Sequence, residues 1–222
     1  MNKNQLLILA EQTGNLSNRD LSGIKLSETD LIGVNFSNCI LKNADLSKTN
    51  LSLCNFEGAD LSNCKIDSAN LTGASFKNAT LNDADFNFSF LPGVDFSNAK
   101  MNRVNFLNAK ITACNFENAE LNEANLQMAE SSLSNFKKAK LNSANLTQGT
   151  FTGCDFSDAE MKNARFYKSD LSGVKFVGTN LQKAEFIMCY LIATVFKSAN
   201  LEDASFENNF KIRVDPPDKS AI

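Results

Sequence analysis

The 222-residue sequence contains no histidine and no tryptophan, and only 10 glycines and 3 prolines. Without histidine it lacks the side chain most used as a general base near neutral pH, which is also the commonest metal ligand. With so few glycines and prolines it is either very regular or poor in turns of the usual kind. Long hydrophobic runs are also missing. The opening MNKNQLLILAEQ has one apolar stretch, Leu6 to Ala10, too short for a signal-peptide core or a bilayer span. The expectation is a cytoplasmic protein with no membrane association. Neither sign of charge dominates, since 22 Lys and Arg face 25 Asp and Glu for a net −3, so no direct nucleic-acid binding is expected. No nucleophile with its base, paired carboxylates, phosphate loop or metal-ligand spacing stands out, and neither catalysis nor a cofactor is expected.

What the sequence does have is a period of five. From Leu16 to Phe206, 38 of 39 positions five residues apart are Leu, Phe, Ile or Met, and Ser131 is the exception. Two residues before each centre lies a small residue, with Arg19 and Ile24 the only misfits. Five matches neither the helical 3.6 nor the strand 2.0, so the chain must turn once per unit. Centre and small residue then both point inward, and the other three positions face water. On this phase Phe116→Ala should be costly, and Asn118→Ala, outside, nearly neutral.

A longer period counts the sides. Phe recurs every 20 residues from Phe36 to Phe196, which makes one coil four units long. Outside, Lys25, Asp45, Lys65 and Asp85 alternate in sign at the same spacing, as do Lys100, Glu120, Lys140 and Glu160. Both series read as charge ladders.

Units such as Ala44-Asp45-Leu46-Ser47-Lys48 and Ala69-Asn70-Leu71-Thr72-Gly73 resemble the pentapeptide repeat family over residues 14 to 208. The resemblance implies an all-β fold, a right-handed quadrilateral β-helix. It also implies one of two roles: a non-enzymatic scaffold binding a protein partner, or a DNA-mimic protector or inhibitor of a type II topoisomerase such as gyrase. The even charge balance favours the scaffold. At the inter-strand spacing the repeats make about ten coils, a solenoid roughly 45 Å long.

The expected division is an N-terminal cap (1–14) with a short helix, the solenoid (15–208) and a C-terminal tail (209–222). In the tail, Phe210, Ile212 and Val214 alternate with Lys211 and Arg213 as an extended strand that closes its own tube or meets a second copy. All six cysteines occupy the small inward position, no two of them 20 residues apart, and read as buried free thiols with no disulfide or metal. Ser131 should leave a void that Phe151, one coil on, fills.

Bulky apolar residues at outward positions are unevenly spread. Twelve belong to the two sides centred on Leu26 and Leu31: Ile32, Leu53, Phe88, Phe90, Leu107, Met128, Leu133, Tyr167, Ile187, Met188, Tyr190 and Ile192. Ile40, Val177 and Val195 alone belong to the other two. The candidate interface is Phe88, Phe90, Ile187, Met188, Tyr190, Ile192, Phe210, Ile212 and Val214, with a two-fold homodimer expected through the C-terminal coils.

Overall fold

A computed structural model describes residues 3–214. Helix α1 (Lys3–Thr13) comes first. It ends at Gly14, whose φ of 61° lets its N–H donate to the Ala10 carbonyl at 2.8 Å, a left-handed stop. Leu6 and Ala10 of α1 are buried in the core cluster of the coils, so the helix covers the first coil.

From Asn15 onward, every bridged pair of residues is parallel and 20 apart, as in Asn15↔Asn35 and Lys65↔Asp85. The ladder needs three main-chain bonds per unit. Leu46 N–H donates to Lys65 O at 2.7 Å, Lys48 N–H to Asp67 O at 2.8 Å, and Lys65 N–H back to Ala44 O at 3.0 Å. Two donors in each unit remain. Where Asn or Asp stands two residues before it, the one after the centre is commonly taken by that side chain, as when Glu57 N–H donates to Asn55 Oδ1 at 2.9 Å. In one column an Asn one coil back accepts instead, as Asn82 Oδ1 does from Asn102 N–H at 2.9 Å. The last is satisfied by a turn, as in Ala119 N–H to Phe116 O at 3.0 Å. Buried main-chain groups are therefore paired without a regular sheet.

That turn demands a left-handed residue in its second central place, the type II pattern. Accordingly φ lies between 50° and 70° at five-residue intervals all the way from Asn18 to Arg213. Asn118 is one of these, with φ 58°. The expectation that Asn118→Ala is neutral is therefore corrected: the side chain is outside, but the backbone beneath it tolerates Asn or Gly better than Ala.

Inside, Phe36 to Phe196 form one continuous stack, with centroids 4.5–5.5 Å apart and planes within 16°. A second column, including Phe86, Phe106, Phe166, Phe186 and Phe206, meets it edge to face. Polar residues in the small column donate to the centre carbonyl one coil back: Thr49 to Leu26 O, Ser89 to Ile66 O and Cys54 to Leu31 O. All six thiols are free, buried and bonded in this way. Burial pushes Cys54, Cys64, Cys114 and Cys154 up to about 12 and Cys189 to about 11, and raises Cys39.

Ser131 is fully buried and its hydroxyl lacks a partner. Phe151, one coil on, is buried too, and its ring lies over Gly149 of its own unit. A Cβ on Gly149 would collide with the Phe151 ring, so the missing side chain of Gly149 makes the room.

Where aromatic and β-branched residues replace Asn and Ser near the C-terminal end, the bridges lengthen into strands. These are β1 (Arg165–Tyr167), β2 (Glu185–Ile187), β3 (Tyr190–Ile192), β4 (Ser205–Glu207) and β5 (Phe210–Ile212). They pair in parallel as β1-β2-β4 and β3-β5. The tail strand thus stacks on its own tube. Lys211 takes the place in the five-residue phase where an apolar centre would stand, its Nζ 5.4 Å from the Phe206 ring centre, so no further apolar layer is laid down. The remainder of the tail, 215–222, lies outside the described residues.

Candidate functional site

The fold fixes which outward residues are costly. Every fifth residue must be left-handed, and a bulky apolar residue is the poorest choice for that conformation short of a β-branched one. Five such positions nevertheless hold large apolar side chains: Leu53, Phe88, Met128, Leu133 and Met188, with φ between 56° and 62°. All five are exposed, Phe88 to 61%, Leu53 to 65% and Leu133 to 71%. Backbone strain and exposed apolar surface coincide there.

They also line up. Phe88, Met128 and Met188 share one corner column, while Leu53 and Leu133 share the next, which is otherwise mostly Gly and Ala. Each leucine lies against the glycine one coil further on, so that a Cβ at Gly73 or Gly153 would sit 3.0 Å from the leucine Cδ2. The two remaining corner columns hold Asn, Asp, Gly, Ser, Lys, Arg and Glu only. Between the two apolar ridges lies the stretch whose inward centres run from Leu31 to Leu191. Its outward residues include the exposed Phe90, Tyr190, Phe210 and Ile212. One rank of this stretch is small hydroxyls over most of its length, Ser52, Thr72, Thr112, Ser132, Thr152 and Ser172, interrupted by Pro92 and ending in Ile at both ends. The candidate surface is this one stretch with its two ridges, narrower than the two sides read from sequence.

Of the other predicted interface residues, Ile187 in β2 and Ile192 in β3 are half-buried. Tyr190 and Phe210, on paired strands, meet edge-on at 5.9 Å, and Ile192 pairs with Ile212. These four make a C-terminal patch beside Met188. Val214 does not join it. Arg213 makes the left-handed turn at φ 50°, and Val214 beyond it packs on the core, so it is not on the outer face with Phe210 and Ile212. Leu107, Val177 and Val195 are half-buried as well.

Charges of opposite sign pair at several places on the rod. Glu120 and Lys140 pair at 3.2 Å as the ladder reading expects, and corner pairs add Glu28–Lys48 and a two-bond contact between Asp83 and Arg103 at 2.7 Å. The Lys25–Asp45–Lys65–Asp85 column stacks in register, but no ion pair is formed within it among the described residues. There Asp45 accepts from the Ser47 hydroxyl at 2.6 Å, which holds its carboxyl below the ordinary carboxylate range. Among the described residues no helix is long and apolar enough to cross a membrane, and no group of three or more acidic, Cys or His side chains could hold a metal.

A family model for pentapeptide repeats in eight copies matches residues 20–58 and 175–208, and a model for a pentapeptide repeat region matches 51–126 and 99–176. The chain belongs to the pentapeptide repeat family. Among solved structures it is similar to HetL, a pentapeptide repeat protein involved in heterocyst differentiation regulation from the cyanobacterium Nostoc sp. strain PCC 7120. The two are 22% identical over 95% of this chain and 94% of that one, with a TM-score of 0.64. It is also similar to full-length QnrB1, a plasmid-mediated fluoroquinolone resistance protein, 18% identical over 89% of this chain and 93% of that one, with a TM-score of 0.61. At these identities the likeness is one of fold. No curated protein matches the chain. This chain meets the left-handed demand at every corner from Asn18 to Arg213, and the ridges are where it does so against local preference.

Proposed function

We propose that this pentapeptide repeat protein is a non-enzymatic scaffold, a right-handed four-sided rod of about ten coils that binds a protein partner through one outer stretch. The coincidence at Leu53, Phe88, Met128 and Leu133 of left-handed backbone, large apolar side chain and exposure carries the reading. Stability alone would favour Asn or Gly there, and the other corners hold these or another polar or small residue. The even ion-pair ladders argue against a DNA-like negative surface, and buried reduced thiols agree with a cytoplasmic home. The test is to exchange the ridge for residues suited to the turn, Phe88→Asn, Met128→Asn and Leu133→Gly together. The triple variant should keep the parent's melting temperature within a few degrees and lose the partner captured by a photo-crosslinker placed at Asn108. Equal capture by both proteins would remove the ridges from the function.

The C-terminal patch serves a second copy in this proposal. Tyr190, Ile192, Phe210 and Ile212 form a compact apolar surface at the end of the rod, and a two-fold axis uses it once per copy and closes the assembly. Light scattering should give a dimer for the full chain, and a monomer after Tyr190→Asp or truncation after Asn208. A monomer for the full chain at tens of micromolar would end the dimer proposal.

A further inference from the structure

The other end of the same outer stretch holds a feature the ridges do not explain. Where α1 passes over the first coil, Leu7, Ala10 and Glu11 face Thr29 to Ile32 and Val34 across an open cleft of about 630 Å³. The cleft exists because α1 seats itself through Leu6 and Ala10, and the stop at Gly14 brings the chain into the coil. Leu7 is left half-buried at the cleft wall. Its floor is apolar, and Ile32, at its rim, is 53% exposed.

The cleft also carries acidic side chains. Along the rod some acidic side chains pair with cations one coil away, as Glu28 does with Lys48 and Glu130 with Lys110. Glu11 and Asp30 both line the cleft, and neither is in an ion pair among the described residues. Asp30 is stacked on Asn50, which brings no cation, and its carboxylate receives only a long 3.4 Å contact from Ile32 N–H. An apolar floor with two unpaired carboxylates at its edge is complementary to an apolar segment that carries Lys or Arg.

We propose that this cleft seats a basic, apolar segment of the protein partner, anchoring it at the N-terminal end of the stretch that the two ridges flank. The apolar side chains enter between Leu7 and Val34, and the cationic head groups reach Glu11 and Asp30. The inference rests on the scaffold reading for the identity of the partner. The cleft's own chemistry is tested without that partner.

The probe is a short fluorescent peptide of alternating leucine and lysine, followed by anisotropy on the full-length protein at low and moderate salt. Binding should weaken as salt rises, and a leucine–glutamate peptide should not bind. Glu11→Gln with Asp30→Asn should lower affinity at least about tenfold, and Ile32→Asp should lower it as well. Removing the same two charges at Glu57 and Glu117 should leave it unchanged. The proposal is overturned by no binding at about 1 mM peptide, by an equal loss from Glu57→Gln with Glu117→Gln, or by loss in the Phe88/Met128/Leu133 variant. That last outcome would put the peptide on the ridges. Conversely, a ridge variant that still captures its partner while the cleft variant loses the peptide would sink the scaffold face and leave the cleft standing.

Discussion

Phe116→Ala is the sharpest probe of the core. Phe116 is fully buried, lies between Phe96 at 5.0 Å and Phe136 at 4.6 Å with nearly parallel planes, and meets Phe106 edge-on at 6.1 Å. Truncation removes the ring's transfer free energy and three aromatic contacts of about 0.5–1.5 kcal/mol each. The void has little means of closing. The coils on either side are held at fixed spacing by main-chain bonds such as Phe116 N–H to Asn135 O at 2.7 Å and Asn115 N–H to Val94 O at 3.0 Å. The cost should therefore lie high in the range for Phe→Ala, about 3–5 kcal/mol. Because each coil touches only its neighbours, the weak layer should also divide the rod, so that urea unfolding followed by circular dichroism broadens or splits. Glu117→Ala, one residue on and facing outward, should fall within about 0.5 kcal/mol of the parent. A Phe116 cost below about 1 kcal/mol, or one equal to that of Glu117, would refute the stacked-column account.

Asn118→Ala should cost about 1 kcal/mol through its left-handed backbone, whereas Asn118→Gly should cost much less, and denaturation midpoints would rank the two. The thiols should be inert in the folded protein. Raising Cys54 from 9.0 to about 12 cuts its thiolate fraction at pH 8 about a thousandfold, so alkylation should label six cysteines only after denaturation, and reductant should leave the melting temperature alone. Since these raised values favour the neutral thiol in the fold, their stabilisation is complete below about pH 9 and is lost as pH climbs toward 12, which alkaline melting curves would register. Purified gyrase supercoiling DNA in the presence of a quinolone should not be rescued by this protein, because its ladders pair lysines and arginines with acids. Dose-dependent rescue would restore the DNA-mimic alternative.

The period of five and the Phe column every 20 residues were legible because both record inward packing, which selects residue size at every turn. The left-handed corner was harder to see. Its residues range from Gly23 and Asn38 to Lys48 and Phe88, since many side chains can bear the conformation at modest cost, and no single residue type flags it. For the same reason the strain at Phe88 and Leu133 was invisible, although their apolar character in an outward place was not. Ladder pairing was half legible. Charges 20 apart stack in register, but Asp45 is drawn to the Ser47 hydroxyl in its own unit, a local competitor that spacing does not reveal. The alternation of the tail suggested one shared face for Phe210, Ile212 and Val214, and the turn at Arg213 removed Val214 from it. The cleft under α1 left no pattern in the sequence, because it depends on how a helix meets a coil.

The 20-residue register of the bridges has a consequence for how such a chain can change over generations. Inserting or deleting a whole coil leaves every column on its own kind and only lengthens or shortens the rod. An edit of five residues is also silent to the inward alternation of centre and small residue, yet it rotates everything downstream by a quarter turn. After such an edit between Leu53 and Phe88, the Phe stack would run into a leucine column, and Leu133 would no longer stand above Leu53. Edits that are not multiples of five break the core itself. The gene can therefore lengthen in steps of twenty and re-aim its ridges in steps of five, and the uninterrupted run from Leu16 to Phe206 shows neither kind of scar in the frame.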